Sequence, residues 1–298
     1  MTSYRFETGG PTLLPMERAR VHFDGLFSEP RLRHPEGVAV GPDGAVWCGS
    51  EDGDILRIAA DGAGLERVAG TGGFTLGLAF DGDRALFACD LRAAAVFRLD
   101  LADRSLTRFT GPGIRIPNYP LVDRARGLLF VSDSYGFGTP GPGIWAYDLE
   151  SGAGGLWYDR ALNFANGLAM RSGEDAVYVC ETFARTVTRI PIRADGSAGA
   201  PETFATELPG LPDGIAFDSA GNLVVACYEP SRLLRVAADG SRTDVLIEDP
   251  TAHLLCHPTN IAFDGSTLYT ANLGRWHITR VAMDIGAEPL WRAAQGGT

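Results

Sequence analysis

The chain has 298 residues, enough for one large domain or two ordinary ones. It carries 26 basic residues, all of them arginine, against 37 acidic residues, for a net charge of -11. This acidic balance argues against binding to nucleic acid or to an anionic membrane surface, and the lack of lysine excludes Schiff-base chemistry and a lysine-dependent phosphate loop.

No apolar run reaches the roughly 18 residues that a membrane-spanning helix needs. The N-terminus also lacks the apolar core of a signal peptide, so the sequence predicts a cytoplasmic protein. The five cysteines are odd in number and include no CxxC pair. This spacing argues against a disulfide framework and against a structural zinc site.

Six similar units of 40 to 48 residues follow one another along the chain. Each unit has a short apolar segment, a turn rich in Gly, Asp or Asn, a second apolar segment, and in most units a third segment that ends in Arg. Equivalent first positions of the units are Glu36, Leu76, Asn118, Asn166, Asp213 and Thr259. Four short strands in each unit predict an all-β fold, a six-bladed β-propeller with four-stranded antiparallel blades.

The repeats leave no room for a second domain. The sequence predicts an N-terminal tail over residues 1–16 and a single propeller over residues 17–298. Residues 17–28 and the C-terminal segment that starts at Glu288 are expected to share the first or last blade, which would close the ring.

The first positions of the units should form a ring, because the innermost strand of every propeller blade faces the central channel. Four of the six carry oxygen ligands, namely Glu36, Asn118, Asn166 and Asp213. Buried carboxylates and amides are costly unless they are paired or bind a cation, and no lysine is present to pair with them. The ring therefore predicts one divalent cation, with calcium expected and zinc, manganese or magnesium as alternatives. Asp or Asn before Gly is also an ordinary turn residue, which is the competing interpretation of each position.

Two histidines stand at matching places before the ring, His34 in His-Pro-Glu and His257 in His-Pro-Thr. They belong to the first and last units, which become neighbours when the ring closes. We predict that they lie near the channel mouth and act as acid or base. The alternative is that both are exposed loop residues.

Further residues are predicted to contact a substrate. Asp133 and Glu181 occupy a second set of equivalent positions, at the ends of second strands, where they either line the pocket or cap the strands. Residues 135–143 form a Gly- and Pro-rich insertion, and its Tyr135 and Phe137 are expected to cover an apolar substrate face, unless the loop has no role.

Several of these motifs resemble the senescence marker protein/gluconolactonase family of six-bladed propellers. They are Pro35-Glu36-Gly37, Asn118-x4-Asp123, Phe164-Ala165-Asn166-Gly167 and Pro212-Asp213-Gly214. The run Asn166–Ala169 followed by Cys180–Arg189 is similar to strictosidine-synthase-like propellers.

The resemblance implies a metal-dependent hydrolase that opens a lactone or related ester of a small molecule. Glu36, Asn166 and Asp213 match the metal ligands of the family, and Asp213 would accept a proton from the attacking water. Asn118 matches an amide of the family that contacts metal or substrate. Ile116 stands where sugar-lactone hydrolases of the family usually carry arginine. The alternatives are a condensation, isomerisation or lyase step at the same site, or a propeller that binds without catalysis.

Overall fold

The computed structural model describes residues 4–288. Within them, six separate antiparallel sheets of four strands form the blades of a β-propeller. The helical content of these residues is one turn of 3-10 helix, Met16–Arg18. The predicted all-β, six-bladed architecture is therefore confirmed.

Each blade runs outward from an innermost strand beside the channel, and its strands pair in chain order. Blade 1 comprises β2 (Val38–Val40), β3 (Val46–Gly49), β4 (Asp54–Ile58) and β5 (Leu65–Gly70). Blade 2 comprises β6 (Thr75–Asp81), β7 (Ala85–Asp90), β8 (Ala95–Asp100) and β9 (Leu106–Arg108). Blade 3 comprises β10 (Pro117–Asp123), β11 (Leu128–Asp133), β12 (Gly141–Asp148) and β13 (Gly154–Leu162).

Blades 4 to 6 repeat the arrangement, except that the last blade takes its outer strand from the N-terminal part of the chain. Blade 4 comprises β14 (Ala165–Ala169), β15 (Ala176–Glu181), β16 (Thr186–Pro191) and β17 (Glu202–Ala205). Blade 5 comprises β18 (Pro212–Phe217), β19 (Leu223–Cys227), β20 (Arg232–Val236) and β21 (Thr243–Glu248). Blade 6 comprises β22 (Pro258–Asp264), β23 (Thr267–Asn272), β24 (His277–Ala282) and β1 (Ala19–Asp24).

The ring closes through pairing of β1 with β24. The two strands are antiparallel, with Ala19 opposite Val281 and Asp24 opposite His277. The closing strand thus lies within residues 17–28 and belongs to blade 6. On the C-terminal side, the Glu288 amide donates to the Phe217 carbonyl of blade 5 at 3.3 Å. The rest of the C-terminal segment expected in the first or last blade, residues 289–292, lies outside the described residues.

The segment before β1 is bound to the outer side of blade 5. The amides of Leu13 and Leu14 donate to the carbonyls of Val245 and Leu246 at 3.0 and 2.8 Å. Nearby, a Gly9 amide binds a carboxylate oxygen of Glu248, whose other oxygen forms a buried ion pair with an arginine of β20 at 2.9 Å. This segment contributes no strand, and the boundary between tail and propeller after residue 16 stays a prediction.

The core lies between neighbouring blades, where the faces of adjacent sheets pack together. Between blades 4 and 5, for example, Tyr178 packs edge-on against Phe217 with ring centroids 4.9 Å apart. All five cysteines are buried free thiols. Four of them lie in the second strands of blades 1, 2, 4 and 5, and Cys256 lies just before β22. No helix within residues 4–288 has the length and hydropathy required to cross a membrane.

Candidate metal and substrate site in the central channel

A cavity of about 350 Å³ lies in the channel at the start of the innermost strands. All six positions that the repeats predicted to face the axis line it. They are Glu36, Leu76, Asn118, Asn166, Asp213 and Thr259. The structure therefore brings the four predicted metal ligands into one cavity, because the sequence period of the repeat is also the period of the blades.

A β-bulge turns these side chains toward the axis. In blades 2 to 6 the pairing of the first and second strands shifts register across the ring position. In blade 5, for example, Pro212 pairs with Cys227 and Ile215 with Val225, so that Asp213 lies within the bulge. A bulge leaves a residue outside the ladder and redirects its side chain, which is what a ring of convergent ligands needs.

Glycine after the ring residue lets the innermost strands approach closely. A Cβ at Gly167 would lie 2.6 Å from the carbonyl oxygen of Asp213, and one at Gly214 would lie 2.9 Å from that of Thr259. A side chain at either place would push neighbouring blades apart. The repeated ring–Gly pairs in the sequence are thus explained by packing around a narrow channel.

The two ring amides are held by the same relay in consecutive blades. Asn118 Nδ2 donates to Ser134 Oγ at 3.1 Å, and this hydroxyl donates to the Ala165 carbonyl of the next blade at 2.7 Å. Asn166 Nδ2 likewise donates to Thr182 Oγ1 at 3.2 Å, and Thr182 donates in turn to a carbonyl of blade 5 at 2.8 Å. With Nδ2 fixed in this way, neither Oδ1 has a hydrogen-bond partner within residues 4–288, although both are buried.

The two ring carboxylates are buried and act on each other electrostatically. Burial raises the pKa of Asp213 to about 7, against the opposing hydrogen bond from Asn166. Burial and, second, the charge of Asp213 raise the pKa of Glu36 well above its usual range. Glu36 Oε2 accepts a hydrogen bond from Asn260 Nδ2 at 3.3 Å, whereas Asp213 Oδ1 has no hydrogen-bond partner among the described residues. When no cation lies between two carboxylates, each of them disfavours ionisation of the other.

This donor set fits a hard divalent cation. Asn118, Asn166 and Asp213 each present an unpaired, buried oxygen in one cavity, and the second carboxylate of Glu36 lines the same cavity. Carboxylate and amide oxygens are the ligands that calcium and magnesium prefer. Residues 4–288 contain no cluster of three or more His, Cys, Asp or Glu side chains, so any metal here depends on the amides.

Asp133 and Glu181, two of the predicted substrate contacts, are not among the residues that line the cavity. Asp133 Oδ1 accepts the amide of Ile116 at 2.8 Å, and Glu181 Oε2 accepts the amide of Asn163 at 2.8 Å. Both carboxylates therefore hold the loop that leads into the innermost strand of their own blade. Their contact with a substrate stays a prediction.

The two aromatic residues of the blade 3 insertion lie in different places. Phe137 lines the cavity, is 75% exposed, and packs on Phe164 with ring centroids 4.9 Å apart. Tyr135 lies outside the lining, and its ring contacts the Arg115 guanidinium at 4.2 Å. The insertion thus extends one phenyl ring over the mouth, while the other aromatic residue packs within the loop.

The two histidines occupy equivalent backbone positions but do not line the cavity. Both have left-handed φ values, 42° at His34 and 52° at His257. His34 Nδ1 pairs with Glu51, and its ring packs edge-on against Trp276. His257 stacks on the Tyr228 ring with centroids 4.7 Å apart, and this tyrosine lines the cavity. The histidines are thus at the rim, and their part in catalysis stays a prediction.

The sequence interpretation missed the hydroxyl residues of the relay and most of the apolar wall. Ser134 and Thr182 each stand 16 residues after a ring amide, a repeat signal that could have identified them. Part of the apolar wall comes from the position two residues before each ring residue. In blades 2 to 5 this position holds Phe74, Ile116, Phe164 and Leu211, and in blades 1 and 6 it holds the two histidines. Phe183 completes an aromatic group with Phe164, at 5.0 Å between ring centroids.

Two family models match parts of the chain. One, described as SMP-30/Gluconolactonase/LRE-like region, matches residues 156–273. The other, described as strictosidine synthase-like, N-terminal, matches residues 27–58. The first contains the ring positions of blades 4 to 6, and the second contains Glu36.

Relatives of this chain include two lactonases. A 6-deoxy-6-sulfogluconolactonase from Pseudomonas putida is 34% identical over 129 residues, which are 42% of this chain and 43% of the relative. A pentonolactonase from Haloferax volcanii is 31% identical over 208 residues, which are 67% of this chain and 60% of the relative. The similarity thus spans 43% and 60% of the length of these two relatives.

The fold is also that of solved propellers. A structure described as a calcium-binding protein, regucalcin, from Agrobacterium tumefaciens superposes with a TM-score of 0.73 at 18% identity, over 95% of this chain and 100% of the other. The fold, the ring of channel ligands and the family matches agree with the resemblance seen in the motifs. The chain is a six-bladed β-propeller that is similar to the SMP-30/gluconolactonase family.

Proposed function

We propose that this protein is a divalent-metal-dependent hydrolase that opens a lactone or related ester of a small molecule. The observation that carries the proposal is the set of three unpaired buried oxygens, on Asn118, Asn166 and Asp213, in a cavity that also contains the Glu36 carboxylate. Such a set is costly in a protein interior unless a cation binds it. The lactonase relatives support lactone hydrolysis as the reaction.

In this proposal Glu36, Asn118, Asn166 and Asp213 hold the cation. A bound divalent cation supplies Lewis acidity to the substrate carbonyl and lowers the pKa of a water molecule beside it. Calcium is the first candidate, since the ligands are all oxygen atoms. The relays through Ser134 and Thr182 keep the amide oxygens directed into the cavity before any ligand arrives.

Asp213 is the proposed proton acceptor. One oxygen of its carboxylate holds the cation, and the other takes a proton from the water whose oxygen bonds to the carbonyl carbon. The bond between that carbon and the ring oxygen then breaks, and the ring oxygen receives the proton as it leaves. The apolar residues above the ring limit the entry of further water, which strengthens these electrostatic interactions.

Metal binding and turnover test the proposal together. Protein stripped with a chelator is titrated with calcium, magnesium, manganese and zinc by calorimetry, and a panel of lactones and esters is then assayed by proton release. We expect about one bound cation per chain and turnover only after it is restored. Stripped protein that binds none of the four ions, or that opens lactones equally well without them, would contradict the metal-dependent mechanism.

A role for the rim histidines has its own test. If His34 or His257 transfers a proton during turnover, His34→Gln or His257→Gln will remove one limb of the pH–rate profile and lower kcat by about 10²-fold or more. His253→Gln is the matched control, since His253 is exposed and does not line the cavity. Variant profiles that superpose on that of the control would exclude both histidines from proton transfer.

A further inference from the structure

The wall above the ligand ring is apolar. The cavity is lined there by Phe74, Ile116, Phe137, Phe164, Phe183 and Leu211. Three of these, Phe137, Phe164 and Phe183, form a continuous aromatic group, with successive ring centroids 4.9 and 5.0 Å apart. Phe164 is 8% exposed, so the base of the group is part of the packed structure.

Charged groups in the cavity are confined to its floor. Among the described residues that line it, Glu36 and Asp213 are the charged ones, and both carry carboxylates that belong to the proposed cation site. Arg115 lies in the loop just before the innermost strand of blade 3. Its guanidinium stacks on Tyr135, and neither residue lines the cavity. A ligand anion or a cluster of hydroxyl groups therefore meets no basic side chain on the cavity wall.

Among the described residues, every side-chain hydrogen-bond donor of the lining except the Tyr228 hydroxyl has a protein acceptor. Thr259 Oγ1 donates to the Glu36 carbonyl at 2.7 Å, and Thr182 Oγ1 donates to the carbonyl before Asp213 at 2.8 Å. Nδ2 of Asn118 and of Asn166 each donates to a hydroxyl of its relay. A polyhydroxylated ligand would lose its bonds to water here and regain few of them.

We infer that this cavity selects lactones or esters whose ring or acyl part carries an apolar substituent, aromatic or alkyl, over polyhydroxylated sugar lactones. The inference rests on the proposed function and specifies its substrate class. The reacting carbonyl would lie at the oxygen ring, and the substituent would pack against the aromatic group under Phe137. Because Phe137 is exposed at the mouth, it is the specificity-determining residue that can be changed without disturbing the core.

The inference is tested with lactones of equal ring size. Metal-loaded protein is assayed with unsubstituted δ-valerolactone, with δ-lactones that carry a phenyl or hexyl group, and with glucono-δ-lactone. We expect kcat/KM for the apolar lactones to exceed that for the sugar lactone by about 10²-fold or more, the discrimination that one unpaired hydroxyl can produce. A preference for the sugar lactone, or equal rates, would overturn the inference and leave lactone hydrolysis standing.

Phe137→Ala identifies the residue responsible. We expect it to lower kcat/KM for the substituted lactones by about tenfold, through KM, and to change that for δ-valerolactone by less than about twofold. Phe27→Ala is the matched control, since Phe27 is 86% exposed and is not part of the lining. Equal effects of Phe137→Ala on substituted and unsubstituted lactones would overturn the assignment of the aromatic group.

Binding without turnover separates this inference from the proposed reaction. Phenyl- or hexyl-substituted δ-lactams resist hydrolysis, and their affinity is measured by calorimetry beside that of the gluconolactam. Tighter binding of the apolar lactams than of the gluconolactam, weakened by Phe137→Ala, would support the inference. This holds even if the protein opens no lactone, because absence of turnover would overturn only the proposed function. Tighter binding of the gluconolactam would overturn the inference whatever the turnover assays give.

Discussion

Replacing Asp213 by asparagine is expected to lower kcat/KM for lactone hydrolysis by about 10³-fold or more, the effect of losing a general base. Asparagine retains the shape of the side chain but accepts no proton, and it removes one of the two charges that attract the cation. Calcium affinity should therefore fall by about 10- to 100-fold, since the charge of the ligand set tunes affinity. Circular dichroism and a melting curve will establish that the propeller stays folded.

The matched control is Asp239→Asn, an exposed carboxylate in a turn outside the cavity. Its turnover and calcium affinity should equal those of the wild type. If Asp213→Asn lost affinity but kept its kcat at saturating calcium, the residue would be a ligand and not the proton acceptor. Wild-type turnover and affinity together in Asp213→Asn would remove it from the site.

The second large effect is on stability without metal. The folded state raises the pKa of Asp213 from 3.8 to about 7, and that of Glu36 is also raised. At about pH 4 and below, both groups are protonated in the folded state, so their burial has little electrostatic cost. As the pH rises towards about 7, the unfolded chain releases these protons while the folded chain holds them, so the free energy of unfolding falls. For Asp213 alone the loss is on the order of 4 kcal/mol.

Asp213→Asn isolates this contribution from those of the other titrating groups. In chelator-treated protein above about pH 7, the variant should be more stable than the wild type by on the order of 2–4 kcal/mol, and the difference should vanish near pH 4. Saturating calcium should reverse the order, because the wild type gains binding energy that the variant largely lacks. Urea unfolding of the wild type and the variant at about pH 4 and about pH 8, with and without calcium, measures the stability difference under each of these four conditions. A variant less stable than the wild type in chelator at about pH 8 would contradict this electrostatic cost of burying Asp213.

The architecture and the channel ring follow from local sequence. The unit starts at Glu36, Asn118, Asn166 and Asp213 are visible because every blade repeats the same strands and turns, and equivalent positions of a propeller share one distance from the axis. A cavity lined by these residues confirms where the repeats place them. Repetition thus converts positions far apart in sequence into neighbours, without knowledge of the loops.

Side-chain direction at the strand ends was decided only by the tertiary structure. Asp133 and Glu181 share a register position that could face the pocket, yet backbone amides of the entering loops bind both carboxylates. The two histidines likewise have the same left-handed backbone conformation, but they contact Glu51 and Tyr228 and are not part of the cavity lining. Whether such side chains point inward depends on the partners that a neighbouring segment offers, which a repeat pattern does not encode.

The sequence by itself therefore determined the six blades and the oxygen ring, because both depend on the repeat. Only the tertiary structure decided which amide atoms face the cavity, since the Ser134 and Thr182 relays cross from one blade to the next. It also decided that Phe137, Phe164 and Phe183 meet above the ring, since loops of blades 3 and 4 bring them together. Interactions between blades depend on closure of the whole ring by β1 and β24, which brings the two ends of the propeller into one sheet.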